Sequence, residues 1–277
     1  MKSPKLINSI GRCFEILEAF TPEEPRLTLQ DLTLKVGLPK TIVHRLLHTL
    51  MSWNYIGCDS QKKYSLGSKF VSLGMSVLAS LDVREIALPF LEELSRVSQQ
   101  NINLGILDRT EVMYICRVEK KSIIPMRLRI GSRLNCYQTS KGRAILAFLD
   151  EEQLSRVLGE LTQDIAAAKV VGSKGEHLLK VLREVRRNGY AVDDEEWILG
   201  VRAIAAPVFN MQARVEGAVN MSVISAAISR TKLIREFGPL LLDTTRRISA
   251  SLGYMPSDKG ESGGILRPGT TVNRLIL

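Results

Sequence analysis

The sequence predicts an α+β protein built from an N-terminal winged helix-turn-helix and a larger domain of mixed strands and helices. Three observations carry this prediction. The first ~70 residues hold three helical stretches followed by a basic hairpin. Residues 67–97 read as helix throughout, and residues 101–252 alternate β-rich runs with amphipathic helices. At 277 residues, with 45% apolar and 24% charged side chains, the chain suits two globular domains of ordinary size.

The N-terminal elements follow from local chemistry. Ile10, Cys13, Phe14, Leu17 and Phe20 form one helical stripe, which Pro22 and Pro25 bring to an end. Thr28 and Asp31 resemble a capping box, and Leu29, Leu32 and Val36 give the next helix its apolar face before Gly37 stops it. Pro39 reads as a first-turn residue of a third helix. In that helix Val43, Leu46, Leu47 and Leu50 recur at i, i+3, i+4 and i+7. Its opposite face carries Thr41, Arg45, His48 and Ser52, with His44 at the edge and Ile42 on the flank. Asn54 stands just past its end, where a left-handed residue is needed. Tyr55–Cys58 and Lys63–Leu66 then read as two strands around the turn Asp59-Ser-Gln-Lys62.

A short helix with one dry and one donor-rich side, entered through a tight turn, suits the major groove of DNA. An amphipathic surface helix with a solvated polar face gives the same pattern. Charge separates the two. The net charge is +9, and residues 35–69 hold Lys35, Lys40, Arg45, Lys62, Lys63 and Lys69 against Asp59 alone, a local excess of +5. Phosphate neutralisation puts charge there. The candidate contacts to double-stranded DNA are Lys40, Thr41, His44, Arg45 and His48 on the helix and Lys62 and Lys63 on the wing. The His44/His48 spacing is zinc-like, but no Glu lies in the required place and no third ligand is near, so no metal is expected.

Beyond the head, Phe70, Leu73, Val77 and Leu81 are the spine of a helix from Gly67. Asp82 with Glu85 reads as a second capping box, opening a helix to about Val97. An exposed apolar spine there is covered most simply by a second subunit. Asn101–Leu107 and Val112–Val118 read as a hairpin across Asp108-Arg-Thr-Glu111, and Pro125–Ile130 as a further strand. Helices are expected over Ser140–Leu149 and Glu151–Leu161, and a third capped by Ser173 with Glu176 and ending at Asn188-Gly189. Strands Val201–Phe209 and Val215–Ile224 and a helix over Thr231–Leu252 complete the domain. Residues 256–277 begin as a Gly-, Ser- and Pro-rich stretch and are predicted to be disordered.

No apolar run approaches the ~18–20 residues of a membrane span and no signal-peptide core is present, so a cytoplasmic protein without membrane partners is expected. Cys13, Cys58, Cys116 and Cys136 lie far apart with no Cys-x-x-Cys pair, which argues for buried thiols rather than zinc or disulfides.

Two stretches could hold chemistry. Asp193-Asp-Glu-Glu196 offers four carboxylates for a metal, for acid/base work, or simply for a solvated loop. Tyr137-Gln-Thr-Ser-Lys-Gly-Arg-Ala144 opens a helix at Thr139 or Ser140, whose first-turn amides favour an anion or merely complete a cap.

Over residues 8–255 the chain resembles the IclR family of transcriptional regulators. Three blocks carry the likeness: Gly37-Leu-Pro-Lys…His44-Arg-Leu-Leu47, Lys63-Tyr-Ser-Leu-Gly67, and Gly189, Asp193, Glu196, Ala203-Ile-Ala205, Val208-Phe-Asn210. The resemblance implies a winged helix-turn-helix over 1–67, a dimerising linker helix over 68–82 and a GAF-like effector-binding domain over 83–255. It implies a homodimer or homotetramer on a palindromic operator and a small carboxylate effector. A sugar acid is favoured by the look of Met126-Arg-Leu-Arg-Ile-Gly131 and Tyr137…Gly142. The effector positions it implies are the Ser140 and Lys141 amides and the side chains of Cys136, Asp193, Val201, Ala203, Asn220 and Ser222.

The chain departs from the family pattern at Thr41-Ile42, where Ser-Thr is common, at Ala203 and Asn220, and at Lys141, where a small residue is usual. Gln163-Asp-Ile-Ala-Ala-Ala168 replaces a Thr-rich segment. The expected function is a ligand-responsive DNA-binding regulator, more often repressor than activator, with no cofactor and no enzymatic activity. The alternatives are a ligand-sensing protein without DNA binding, and an enzyme using Asp193–Glu196. The enzyme reading lacks a paired nucleophile and base, a phosphate-binding Gly loop and a histidine in the acidic block.

Overall fold

Three helices wrapped on a small three-stranded sheet begin the chain, and a six-stranded antiparallel sheet with helices on both faces follows. The computed structural model describes residues 7–79, 82–120, 128–172 and 175–255. The chain divides into two compact units, Met1–Ser80 and Leu81–Leu277.

In the first unit, α1 (Asn8–Glu18), α2 (Leu29–Val36) and α3 (Lys40–Ser52) bury Ile16, Leu32, Val43, Leu47 and Leu50 together with Leu27 and Ile56. Leu46 packs against this core half-buried. The Thr28 box closes both ways: Thr28 Oγ1 accepts from the Asp31 amide at 3.2 Å, and Asp31 Oδ2 accepts from the Thr28 amide at 2.9 Å. Gly37, at φ 64°, ends α2, and Asn54, at φ 60°, follows α3. Pro39 is the cap residue before α3 rather than its first helical residue, which is Lys40.

The sheet orders β1 (Leu27–Thr28), β3 (Lys63–Leu66) and β2 (Ile56–Cys58), all antiparallel. At two residues β1 is too short to show alternation in the sequence. The wing turn is held by Asp59 Oδ1, which accepts from the amides of Gln61 and Lys63, each at 2.9 Å. Helix α4 (Lys69–Ala79) belongs to this unit, its Phe70 ring edge-on to Tyr55 at 5.2 Å. Within the unit, Val71, Leu73 and Met75 of α4 are exposed, as are Ile10 and Phe14 of α1.

The second unit opens with α5 (Asp82–Ser98), in which Asp82 is the first helical residue. Its sheet runs β6 (Arg133–Asn135), β5 (Glu111–Val118), β4 (Asn101–Asp108), β9 (Val215–Ile224), β8 (Val201–Phe209), β7 (Ala191–Asp194). On one face Ile102, Leu104, Ile204, Ala206, Val208, Val219, Met221 and Val223 pack against α5 and α11 (Gly238–Ser251). On the other, small residues (Ala203, Ala205, Ala218) admit α6 (Ser140–Leu146), behind which lie α7 (Glu151–Gln163), α8 (Ile165–Val171) and α9 (Glu176–Asn188). The pairing of β4 and β5 shifts register at Leu104/Gly105. This bulge leaves Ile115 and Cys116 both in the first core, so Tyr114 and Arg117 both reach the α6 side.

Several expectations are corrected. Ser140–Leu149 is helical only to Leu146. The cap residue of α9 is Gly175, at φ 73°, while Ser173 lies outside the described residues. The expected strand over 125–130 falls partly outside them, and residues 128–130 are not strand. The final helix is interrupted: α10 (Arg230–Lys232) passes through a π-helical turn, Leu233–Phe237, into α11. Residues 165–171 are helical because Asp164 caps them, its Oδ1 accepting from the amides of Ala166 and Ala167 at 2.8 and 2.9 Å.

Leu47 is buried at the centre of the head, so Leu47→Ala should cost about 2–5 kcal/mol. His48→Ala, on the exposed side of the same helix, should stay within about 0.5 kcal/mol. Urea unfolding followed through Trp53 fluorescence checks both.

Candidate functional site

The head presents its predicted residues on one helix side and the adjoining turn. Lys40, Thr41, His44, Arg45 and His48 of α3 are exposed, and so are Lys62 and Lys63 of the wing, with Lys62 at φ 60°. Ile42 is half-buried on the flank of that side. Of the six cations in the basic cluster, Lys35 is engaged by Glu24 at 2.5 Å, and the Lys69 ammonium sits 4.7 Å over the Tyr55 ring. Among the described residues, Lys40, Arg45, Lys62 and Lys63 form no ion pair. They are the charges left for a phosphate backbone.

The second unit holds a cavity between α6 and the sheet. Its empty space, open mouth included, comes to about 540 Å³. Seven of the eight predicted positions line it: Ser140, Lys141, Asp193, Val201, Ala203, Asn220 and Ser222. Strand parity explains the last two, because Asn220 and Ser222 alternate with Val219, Met221 and Val223 of the opposite core.

Cys136 is not on the wall. It is fully buried under α6, in the core with Val112 and Ala144, and burial pushes its thiol up to about 12. Its place is set by Gly142, where an added Cβ would lie 1.9 Å from the Cys136 carbonyl oxygen. Cys136 therefore seats the helix rather than lining the site.

Thr139 caps α6, its Oγ1 accepting from the Gly142 amide at 3.2 Å, and the helix start faces the cavity through Ser140 and Lys141. The first-turn amides of a helix have no intrahelical acceptor. Lys141 is 1% exposed. Its Nζ donates to Asn220 Oδ1 at 3.2 Å and lies 3.3 Å from the Tyr114 ring centroid. Burial, and then the Arg117 guanidinium, hold this amine well below the usual lysine range. Asn220 Oδ1 also accepts from Asn103 at 2.9 Å, and Asn103 Oδ1 accepts from Arg117 at 3.1 Å. A polar chain thus crosses three strands.

The acidic block is divided among three tasks. Asp193, at the end of β7, points to the cavity, its Oδ1 accepting from the amides of Glu196 and Trp197 at 3.0 and 3.4 Å. Asp194 and Glu195 pair with Arg202, which also donates to the carbonyls of Ser225 and Ile228. Glu196 takes both ends of Arg143, itself held by the Tyr137 carbonyl at 2.9 Å. Three of the four carboxylates are thereby committed to guanidinium partners, and no three metal-ligating side chains converge among the described residues. Burial raises the Asp193 carboxyl to about 6 despite its two amide donors.

Sequence reasoning missed Asn101, Tyr114, Arg117, Leu134, Trp197 and Ile198, all of which line the cavity. The Asn101/Asn103 alternation and an arginine inside an otherwise apolar strand were the available signals. Only the β5 bulge brings Tyr114 and Arg117 to one side.

Comparison with known proteins agrees with this geometry. Residues 9–60 match the IclR helix-turn-helix domain and residues 75–250 the bacterial transcriptional regulator IclR C-terminal domain. The chain belongs to the IclR family. It is a ligand-responsive DNA-binding transcriptional regulator, with a helix-turn-helix head and a C-terminal effector domain. The HTH-type transcriptional regulator XynR of Escherichia coli (strain K12) is 35% identical, over 90% of this chain and 98% of its own. The HTH-type transcriptional repressor AllR of the same strain is 30% identical, over 88% and 90%. An IclR homolog from Microbacterium hydrocarbonoxydans, solved with 4-hydroxybenzoate, shares the fold at a TM-score of 0.74 and 20% identity, over 88% of this chain and 98% of that one. Among the described residues no helix is long and apolar enough to cross a membrane.

The Asp193 shift fixes a sign. Its folded pKa lies above the ordinary 3.8, so the native state holds the proton more tightly. Stability should fall as pH rises from about 4 through 6, by up to about 2–3 kcal/mol, and stay lowered above that. Unfolding of the ligand-free protein at pH 4 and pH 7 should show that loss in wild type and not in Asp193→Asn.

Proposed function

We propose that this IclR-family protein represses a carboxylate or sugar-acid catabolic operon and releases its operator when a small carboxylate fills the cavity. The observation that carries the reading is the buried, cation-rich cavity: Lys141, Arg117 and the α6 amides converge there, opposed by Asp193 alone among the lining carboxylates. Positive groups of that kind hold a carboxylate, while Asp193 and Ser222 offer partners to hydroxyl groups. Repression is supported by AllR, and carboxylate binding by the 4-hydroxybenzoate of the Microbacterium structure.

The operator is palindromic in this reading, bound by a homodimer or homotetramer in the cytoplasm. Helix α4 and its flanks, residues 68–82, supply the linker and dimer contact, and its apolar side chains exposed within the head supply the surface. Lys40, Thr41, His44, Arg45 and His48 enter the major groove, with Lys62 and Lys63 on the backbone. Ser140, Lys141, Asp193, Val201, Ala203, Asn220 and Ser222 hold the effector. Neither cofactor nor catalysis enters this reading.

Two measurements test it. Arg45→Ala with Lys62→Ala should weaken operator binding and lower the slope of log K against log salt by about one for each phosphate that is no longer neutralised. Unchanged affinity and slope would sink the DNA assignment in favour of a sensor without DNA binding. A thermal-shift screen of sugar acids and of aromatic and short carboxylates should raise the melting point, with about 2.7 kcal/mol gained at a hundredfold excess over Kd. A screen with no shift would remove the carboxylate.

A further inference from the structure

Lys141 has the largest side chain among those wholly buried in the described structure. It lies close against the sheet: at Gly105 of β4 an added Cβ would stand 2.5 Å from a Val112 methyl group and 3.3 Å from the Lys141 Cδ. The amine then meets the Tyr114 ring face and one amide oxygen, that of Asn220. Among the described residues no carboxylate comes within ion-pair distance of it.

The charged and titratable groups around the amine come from three elements. Arg117 and Tyr114 face it from β5, and Arg117 is a second cation, itself paired with Glu119 at 2.5 Å. Asp193 lines the same cavity from β7 and is occupied by the amides of Glu196 and Trp197. On α6 itself, Arg143 is spent on Glu196. An ammonium in this position is dehydrated, lacks a counter-ion and stands beside another cation, whereas a neutral amine satisfies the same hydrogen bond.

We infer that effector binding is proton-linked: in the empty cavity the Lys141 amine is uncharged, and it gains a proton when the anionic group of the effector arrives beside it. The inference rests on the reading of the cavity as a carboxylate site. The balance is simple. The nitrogen lone pair takes one proton from solvent, one N–H bond forms, and no electron is transferred. Burial and the Arg117 charge disfavour the ammonium until a carboxylate supplies the missing partner. The effector's binding constant should then fall by about tenfold per pH unit wherever the empty amine is neutral and the bound one charged.

The experiment is calorimetry on the full chain at pH 8, well above the Asp193 titration, with D-gluconate and D-glucarate in HEPES and in Tris. Uptake of close to one proton per site is expected in wild type, and close to none in Lys141→Met. Binding without uptake in wild type overturns the inference while leaving the carboxylate site intact. In parallel, NMR of the ligand-free protein labelled with ε-13C-lysine reads the amine directly. The Lys141 signal is identified by its loss in Lys141→Met or, should that variant not fold, in Lys141→Gln. A neutral amine at pH 8 supports the inference, and an ammonium in the empty protein overturns it, whether or not either acid binds. Failure of both acids to bind, with a neutral amine, counts against the carboxylate reading and not against the charge state of Lys141.

Discussion

The close seating of α6 on the sheet is the constraint from which the effector domain is built. Gly142 has no room for a Cβ against the Cys136 backbone, and beneath the helix the strands present Ala203, Ala205 and Ala218 rather than larger residues. A helix lying this low brings its N-terminal turn to the sheet surface, so Lys141 reaches Asn220 and Tyr114 instead of solvent. Two residues on, Arg143 runs back to the Tyr137 carbonyl and out to Glu196, tying the acidic loop to the same helix. One steric fit therefore sets the Lys141 amine, the free amides and the acidic loop that follows Asp193.

Electrostatic compensation elsewhere makes the cavity unusual. Outside it, buried or half-buried charges are paired: Arg202 with Asp194 and Glu195, Arg143 with Glu196. Inside it, Arg117 is paired with Glu119, but Lys141 has neutral partners only, and Asp193 accepts from backbone amides. Two groups of opposite sign are thus each pushed toward neutrality by burial, the amine downward and the carboxyl upward. Such a site lowers its own cost by shedding charge and restores it only against a charged guest.

Much of this is legible in the sequence, and the limits have physical causes. Capping and turn chemistry is local, so Thr28/Asp31, Gly37, Asn54 and the Asp59 turn are all readable. Period-two alternation places β4, β5, β8 and β9 within a residue or so. The acidic block hides a strand: charged residues discourage a strand assignment, yet β7 forms because Asp194 has Arg202 directly across the pair with β8. A short edge strand such as β6, at three residues, has no period to detect. The β5 bulge is equally silent, since nothing local marks which residue is extra, and with it go Tyr114 and Arg117. The position of Cys136 illustrates a different limit. Similarity along the chain brings it near the site, but only the packing at Gly142 shows it behind the helix.

The acidic loop also connects the cavity to the opposite side of the sheet. Arg202, held by Asp194 and Glu195, donates to the carbonyls of Ser225 and Ile228, in the segment that leads into α10 and α11. Helix α11 packs on α5 through Leu241 and Ile248, and Arg247 reaches Glu93 of α5 at 2.9 Å. α5 is the element that opens the second unit, at Asp82. A contiguous set of contacts therefore joins the acidic residues next to the cavity-lining Asp193 to the end of the domain nearest the head in sequence. Contiguity alone does not make a switch; the effector must bind two arrangements of that set with different affinity. The natural place for the difference is the loop from Glu195 to Gly200, which carries two left-handed residues at φ 65° and 85° and an exposed Leu199, and whose anchors are the two guanidinium pairs. Asp193 and Trp197, which line the cavity, sit between these anchors, and of the two it is Arg202 that reaches the segment leading into α10.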